Sequence, residues 1–210
     1  MSVKPRAFQG QYPPRWHSII NSPVGRLYVA ASDNALTGIW YEEQAHFPLP
    51  HELGERITDP AGLVAEADEV AQAIGADAER SGEHIYVAPA RILAQTEREL
   101  DEYFRGRRTD FEVPLDPDGT DFQLAVWDYL KTVPYGYPVT CGEISRMVGP
   151  GAPAQAVGQA VGHNKIAIII PCHRVLGAGG KLTGYAGGLD RKRWLLDREE
   201  PKDIRSRRLF

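Results

Sequence analysis

The sequence predicts an α+β fold in two domains, on three observations. Residues 16–41 hold short apolar runs broken by turn signals, the pattern of an antiparallel sheet. Beyond residue 119 the apolar residues fall at helical spacing behind clear capping sequences. Between the two lies a charged, Pro-containing connector from Arg105 to Gly119. A boundary is expected there, giving an N-terminal domain over 1–110 and a C-terminal domain over 111–210.

Residues 1–15 are rich in Pro and Gly and are expected to be loosely held. The strands of 16–41 turn at Asn21-Ser22-Pro23-Val24-Gly25 and at Ser32-Asp33-Asn34, which reads as an antiparallel meander. Residues 42–60, with Pro48, Pro50 and Pro60, read as a loop. A helix over 61–74 sets Leu63, Ala67, Val70, Ala71 and Ile74 on one face, and 75–90 reads as another loop. The next helix covers about 91–105, with Leu93, Leu100, Tyr103 and Phe104 inward.

In the second domain, Thr120-Asp121-Phe122-Gln123 has the form of a capping box. It opens a helix expected to bury Phe122, Val126, Tyr129, Leu130 and Val133, and Pro134-Tyr135-Gly136 ends it. A second box, Thr140-Cys141-Gly142-Glu143, starts a short helix with Ile144, Met147 and Val148 inward. Gly149-Pro150-Gly151 breaks the chain, and a further helix runs from about Pro153 to about Val161. Two short helices around a glycine-containing break outline a helix-turn-helix. The second is built from Ala154, Gln155, Ala156, Gly158, Gln159 and Ala160, small and uncharged enough to lie against another backbone, including that of a nucleic acid. Ile166-Ala167-Ile168-Ile169-Ile170 reads as a strand buried on both faces.

Composition removes several classes of function. With 42% hydrophobic and 25% charged residues the chain is ordinary for a soluble globular protein. No apolar run approaches the roughly 20 residues of a membrane helix, and the first residues lack the apolar core of a signal peptide. A cytoplasmic protein without a membrane partner is expected. The two cysteines, Cys141 and Cys172, form neither a CxxC pair nor a disulfide framework, so reduced thiols are expected. Histidines 17, 46, 51, 84, 163 and 173 have no metal-site spacing, and neither a metal nor another cofactor is expected. Charge is uneven. Residues 119–210 carry 13 Lys and Arg against 8 Asp and Glu, whereas residues 1–118 carry 11 against 20. That suits a molecule offering one basic face to a polyanion.

The apolar run leads directly into Pro171-Cys172-His173-Arg174. A lone cysteine after a buried run is usually a core residue. Here two polar side chains follow it where polar groups are costly unless used or paired. Electropositive neighbours favour the thiolate, which is the nucleophile. Adjacent residues on an extended backbone face opposite ways, so His173 acts on Cys172 either through a turn or through a bound water.

Pro171-Cys172-His173-Arg174-Val175, then Gly184-Tyr185-Ala186-Gly187-Gly188-Leu189 and Lys192-Arg193-Trp194-Leu195-Leu196, resemble the active-site region of the O6-alkylguanine-DNA alkyltransferases. Residues 22–30, 100–108, 119–130 and 156–164 resemble that family too, leaving the extra residues around 50–90 and the last ten outside the likeness. The resemblance implies a ribonuclease-H-like N-terminal domain and a helical C-terminal domain that binds DNA, acting as a monomer. Its partner would be double-stranded DNA holding O6-alkylguanine, with O4-alkylthymine as a further candidate lesion. The damaged base must leave the stack, because a thiol cannot reach O6 in line inside a duplex. By the same resemblance Cys172 is the nucleophile, His173 its base through a water, and Glu199 the group that orients His173. Asn164 is the hinge before Cys172, alternatively a helix C-cap. Tyr185 donates toward the departing guanine, and Val161, Val175, Ala186 and Gly187 line the pocket. Gln155, Cys141, Ala156, Gly158, Gln159 and Arg174 form the DNA-binding set.

Two positions depart from the family pattern. An arginine usually fills the space of the flipped base where this chain has Gln155, and a tyrosine usually stands where it has Cys141. Both changes touch base flipping and leave the transfer chemistry intact. The rival readings are a helix-turn-helix protein that binds lesions or senses alkylation without repair, and a cysteine hydrolase.

Overall fold

The computed structural model describes residues 15–74, 86–149 and 151–201. It opens with three antiparallel strands, β1 (Trp16–Ser22), β2 (Gly25–Ala31) and β3 (Leu36–Tyr41). The β1–β2 register closes on Ser22 opposite Gly25, whose φ of +98° suits glycine at that tight turn. The meander is therefore present, but the sheet is mixed. The stretch 42–60 contains helix α1 (Pro50–Leu53) and strand β4 (Glu55–Arg56), which pairs parallel with β1 in the order β3-β2-β1-β4. Two exposed polar residues carry no alternation, so this edge strand left no trace in the pattern.

Helices α2 (Pro60–Ile74) and α3 (Val87–Phe104) pack together, and α3 lies on the sheet. The latter starts several residues before the expected 91, because Pro89 falls in the first turn, where its missing N–H costs nothing. Leu93, Leu100 and Tyr103 are fully buried, and Phe104 packs on the same core. The inward placing of Val70, Ala71 and Ile74 lies outside the described side chains, as do the readings of residues 1–14, 75–85 and 202–210.

In the second half, α4 (Asp121–Lys131), α5 (Cys141–Val148) and α6 (Ala154–Gly162) form a three-helix cluster. Both capping boxes close as expected: Thr120 with Gln123, and Thr140 with Glu143. Two inward residues were misplaced. Phe122, in the first turn of α4, is 36% exposed, and Met147 on α5 is 67% exposed. The core position belongs to Trp127, whose indole N–H donates to the Ala160 carbonyl at 2.8 Å and so ties α4 to α6. Two short parallel strands, β5 (Val139–Thr140) and β6 (Val175–Leu176), and a final helix, α7 (Leu189–Glu199), complete the fold.

The run Ile166–Ile170 is buried throughout, as expected, but it is not a strand. Only Ile166 pairs, bridging to Ile39 of β3. The chain then doubles back, with Ile170 N–H donating to Ile166 O at 3.0 Å and Ile168 held at φ +73°. A β-branched residue rarely adopts that conformation. Burial alone cannot tell a strand from a compact buried turn. One edge of β3 faces the second half of the chain. Leu36 donates to Pro114 O at 2.8 Å, Ile39 donates to Lys165 O at 2.8 Å, and Ala167 donates back to Ile39 O at 3.1 Å. The main hydrophobic cluster runs through both halves, with a smaller one around Ala30, Trp40 and Leu53, and the docking sets the segment leading to Cys172 beside the end of the sheet.

Candidate active site

Cys172 opens a 3-10 turn, Cys172–Arg174, directly after the buried turn. Its side chain is 6% exposed and lines a cavity of about 350 Å³ together with Asn164, Tyr185, Tyr41, Cys141 and Val175. Val161, Ala186, Gly187 and Gly158 also face this cavity. The expected pocket wall is thus assembled in one place.

Asn164 stands one residue past the C-cap of α6, which is His163. Its amide N–H groups donate to Ile170 O at 2.8 Å, to Ile166 O at 3.3 Å and to Cys172 Sγ at 3.0 Å. Its side-chain oxygen accepts from Ile166 N–H at 3.1 Å. One buried amide therefore shapes the turn and holds the sulfur at its end. Burial pushes the Cys172 thiol up from its ordinary range, and the Asn164 hydrogen bond, the Lys192 charge and Tyr185 pull it back.

His173 is fully buried, and its Nε2 lies 2.9 Å from Glu199 Oε1. Glu199, at the end of α7, also accepts from Tyr103 Oη at 2.8 Å, from Gly136 N–H at 3.2 Å and from the Arg174 guanidinium at 2.7 and 3.0 Å. Burial by itself would raise this carboxyl. The hydrogen bonds and charges of His173 and Arg174 outweigh it and hold Glu199 well below the usual carboxylate range. Burial lowers the His173 imidazole below its ordinary value, and Glu199 offsets part of that. A neutral ring with Nε2–H donating to Glu199 leaves Nδ1 as the basic atom. Nδ1 is buried without a protein hydrogen-bond partner among the described residues, and no direct hydrogen bond joins the ring to Cys172.

Arg174 does not stand where the sequence suggested. The resemblance sets it among the DNA-binding residues, but the structure buries it, forked onto Glu199, with a third bond to Val133 O at 2.5 Å. A charge spent on Glu199 is offered neither to a phosphate nor to the thiol. The sequence reading missed Lys192, which is buried and donates to Val175 O at 2.6 Å, Thr183 O at 2.7 Å and Gly184 O at 3.0 Å. It ties the Tyr185 loop to the cysteine segment. A lysine inside a helical run reads as a surface residue, and the family likeness quotes the Lys-Arg-Trp-Leu-Leu run without giving Lys192 a role.

On α6, Gln155 and Gln159 are exposed and Ala156 is half-buried, while Cys141 and Gly158 turn into the cavity, with room for contact between them. Among the described residues no group of three or more His, Cys, Asp or Glu side chains is placed to hold a metal, and no helix is long and apolar enough to cross a membrane.

Comparison with known proteins matches this geometry. Residues 63–117 match the family model for the ribonuclease-like domain of 6-O-methylguanine DNA methyltransferase, and residues 121–201 match that for its DNA-binding domain. A methylated-DNA–protein-cysteine methyltransferase of Mycolicibacterium paratuberculosis is 38% identical over 91% of this chain and 96% of its own. A solved structure of Mycobacterium tuberculosis O6-methylguanine methyltransferase aligns with TM-score 0.66 at 37% identity, covering 91% of this chain and 98% of that one. The same organism's protein in complex with DNA aligns with TM-score 0.67 at 39% identity, covering 90% and 97%. With its buried thiol, its His–Glu pair and this likeness over nearly its full length, the chain belongs to the 6-O-methylguanine DNA methyltransferase family.

Proposed function

We propose that this protein repairs DNA by direct reversal, moving an alkyl group from O6 of guanine to its own Cys172, once per molecule. The observation that carries this is the sulfur of Cys172 at the wall of a cavity, held by Asn164 and followed by a neutral, Glu199-oriented histidine.

The chemistry follows from the geometry. The lesion enters the cavity extruded from the duplex, at an unpairing cost of about a few kcal/mol, less for a base that already pairs badly. His173 Nδ1 takes the thiol proton through a water, and Glu199 holds the resulting imidazolium. The sulfur attacks the alkyl carbon, the C–O6 bond breaks, and guanine leaves with its electron pair. Tyr185 lines the same cavity, where its hydroxyl can donate to the purine. The product is a thioether, which has no good leaving group and meets no second nucleophile, so the thiol is not regenerated.

Duplex DNA with alkylated guanine is the partner. The exposed Gln155 and Gln159, with Ala156, Gly158 and Cys141 beside them, form the surface that meets it. Gln155 carries no charge to fill the place of the extruded base, so duplex binding is weaker than an arginine there would give. We place the division at the end of the 105–119 connector, a few residues past the expected 110/111, because one matched family model ends at 117 and the next starts at 121. The cytoplasm is the proposed location.

Mass mapping tests the reading. After mixing with a duplex containing one O6-methylguanine, the peptide with Cys172 should gain one methyl. Cys172→Ser should gain none, and Cys141→Ser should gain one as the parent does. Lesion binding without methyl uptake would favour the sensor reading instead.

A further inference from the structure

A residue from the N-terminal sheet lies against Tyr185 in the cavity that holds Cys172. Tyr41, the last residue of β3, is fully buried, and its Oη lies 2.8 Å from Tyr185 Oη. The two rings meet edge on at 5.9 Å, and both line the cavity that holds Cys172. The contact is built with some care. Gly187 is bare on that side, since a Cβ there would fall 2.4 Å from the Tyr41 ring. The Arg191 guanidinium lies 5.0 Å over the other part of the ring, while Arg191 bonds Val24 O at 2.8 Å and Gly187 O at 2.9 Å. The backbone of Ala45 donates to Ala186 O at 3.1 Å, which fixes the Tyr185 loop to the segment after β3.

Either hydroxyl can donate across this distance, and a donating Tyr41 is the arrangement that leaves no hydroxyl without use. Among the described residues Tyr41 Oη has no other hydrogen-bond partner. Were Tyr185 the donor, its O–H would be spent on Tyr41, and the Tyr41 hydrogen would have no protein acceptor among the described residues. With Tyr41 donating, Tyr185 keeps its own O–H free to point into the cavity. Burial pushes both phenols up, so both remain protonated donors at neutral pH.

We propose that Tyr41 is a positioning residue for alkyl transfer, whose hydroxyl donates to Tyr185 and thereby aims and strengthens the bond Tyr185 gives to the departing purine. No proton leaves Tyr41. As the S–C bond forms and the C–O6 bond breaks, negative charge grows on the purine, and Tyr185, already accepting from Tyr41, is the better donor to it. The inference rests on the alkyl-transfer reading and extends it to a residue outside the C-terminal half, which the sequence did not single out.

The test is a double-mutant cycle on the full chain, read as the single-turnover rate of methyl transfer from an O6-methylguanine duplex. Tyr41→Phe keeps the ring under Arg191 and beside Gly187, and is expected to slow transfer about fivefold, the worth of one neutral hydrogen bond. Tyr41→Met, which also lacks the hydroxyl, should slow transfer at least as much. In a Tyr185→Phe background neither change should slow it further. The Tyr41→Phe effect should also shrink on a duplex whose lesion is a less basic purine, O6-methyl-8-azaguanine, because a better leaving group needs less help. Equal slowing in both backgrounds, or none in the parent background, overturns the relay while leaving the transfer reading intact. If the parent itself moves no methyl to Cys172, the functional reading falls first.

Discussion

Glu199 shows how much one side chain can organise. It sits 1% exposed and takes hydrogen bonds from His173, Arg174, Tyr103 and Gly136, which come from widely separated parts of the sequence. Replacing it by Gln leaves a buried, uncompensated Arg174 and is expected to cost about 3–5 kcal/mol of stability, visible in denaturant unfolding. Acid should weaken the fold in two stages. The His173 pKa is lowered in the folded state, so the unfolded chain binds the proton first and stability falls as pH drops below the ordinary value of about 6.5. The Glu199 pKa is also lowered, so its contribution is present above the unfolded carboxyl value and fades as pH falls below it, from about 4.3 downward. Unfolding free energy measured from pH 4 to pH 7 checks the sign: these two groups should make it rise with pH. Transfer should follow the neutral imidazole, with its acid limb below the ordinary histidine range. At Asn164, substitution by Ala removes the donor to Cys172 Sγ, strips one hydrogen bond each from the Ile166 and Ile170 carbonyls and leaves the Ile166 N–H without its acceptor. A loss of about 1–3 kcal/mol and a slower reaction of the thiol with small alkylating reagents are expected. These residues were legible in the sequence only through the family motif around Cys172. The spacing alone left open whether His173 touches the sulfur, and the resemblance gave Arg174 the wrong partner.

At the level of elements, what the sequence disclosed depended on whether a local signal existed. The two capping boxes at Thr120 and Thr140 are written in four residues each, and both form. The strand pattern of 16–41 is likewise local, and three strands form there. The buried turn at 166–170 is set by Asn164 and by the edge of β3, neither of which lies within the apolar run, so an unbroken apolar stretch was read as a strand. Phe122 and Met147 illustrate the same limit, since helical spacing gives a stripe but not which end of it meets a neighbour. Trp127 supplies a test of the α4–α6 contact. Trp127→Phe keeps most of the buried area but orphans the Ala160 carbonyl, and should lower stability by about 1–3 kcal/mol. If α6 meets the duplex as proposed, Gln155→Arg should tighten duplex binding and speed transfer from duplex substrate more than from a single strand. Parallel gains on both substrates would place the effect outside base extrusion.

On the scale of the whole molecule, the N-terminal sheet does more than stabilise. Its last full strand docks through backbone hydrogen bonds at Leu36 and Ile39 onto the segments before α4 and before Cys172, and its last residue touches Tyr185. The division into a sheet-bearing and a helical part could be read from turn signals and caps. The docking could not, because it pairs residues some 80 to 130 positions apart with no shared pattern. The uneven charge fits the same arrangement, with the basic excess on the half that holds α6 and Cys172. Contacts of that kind with phosphates should make duplex affinity fall as salt rises. The most direct test of the whole is stoichiometry. With an excess of duplex carrying O6-methylguanine, repaired guanine should rise to one equivalent per protein and stop, with one methyl retained on Cys172. Continued repair beyond one equivalent, or a methyl held anywhere other than Cys172, would contradict it.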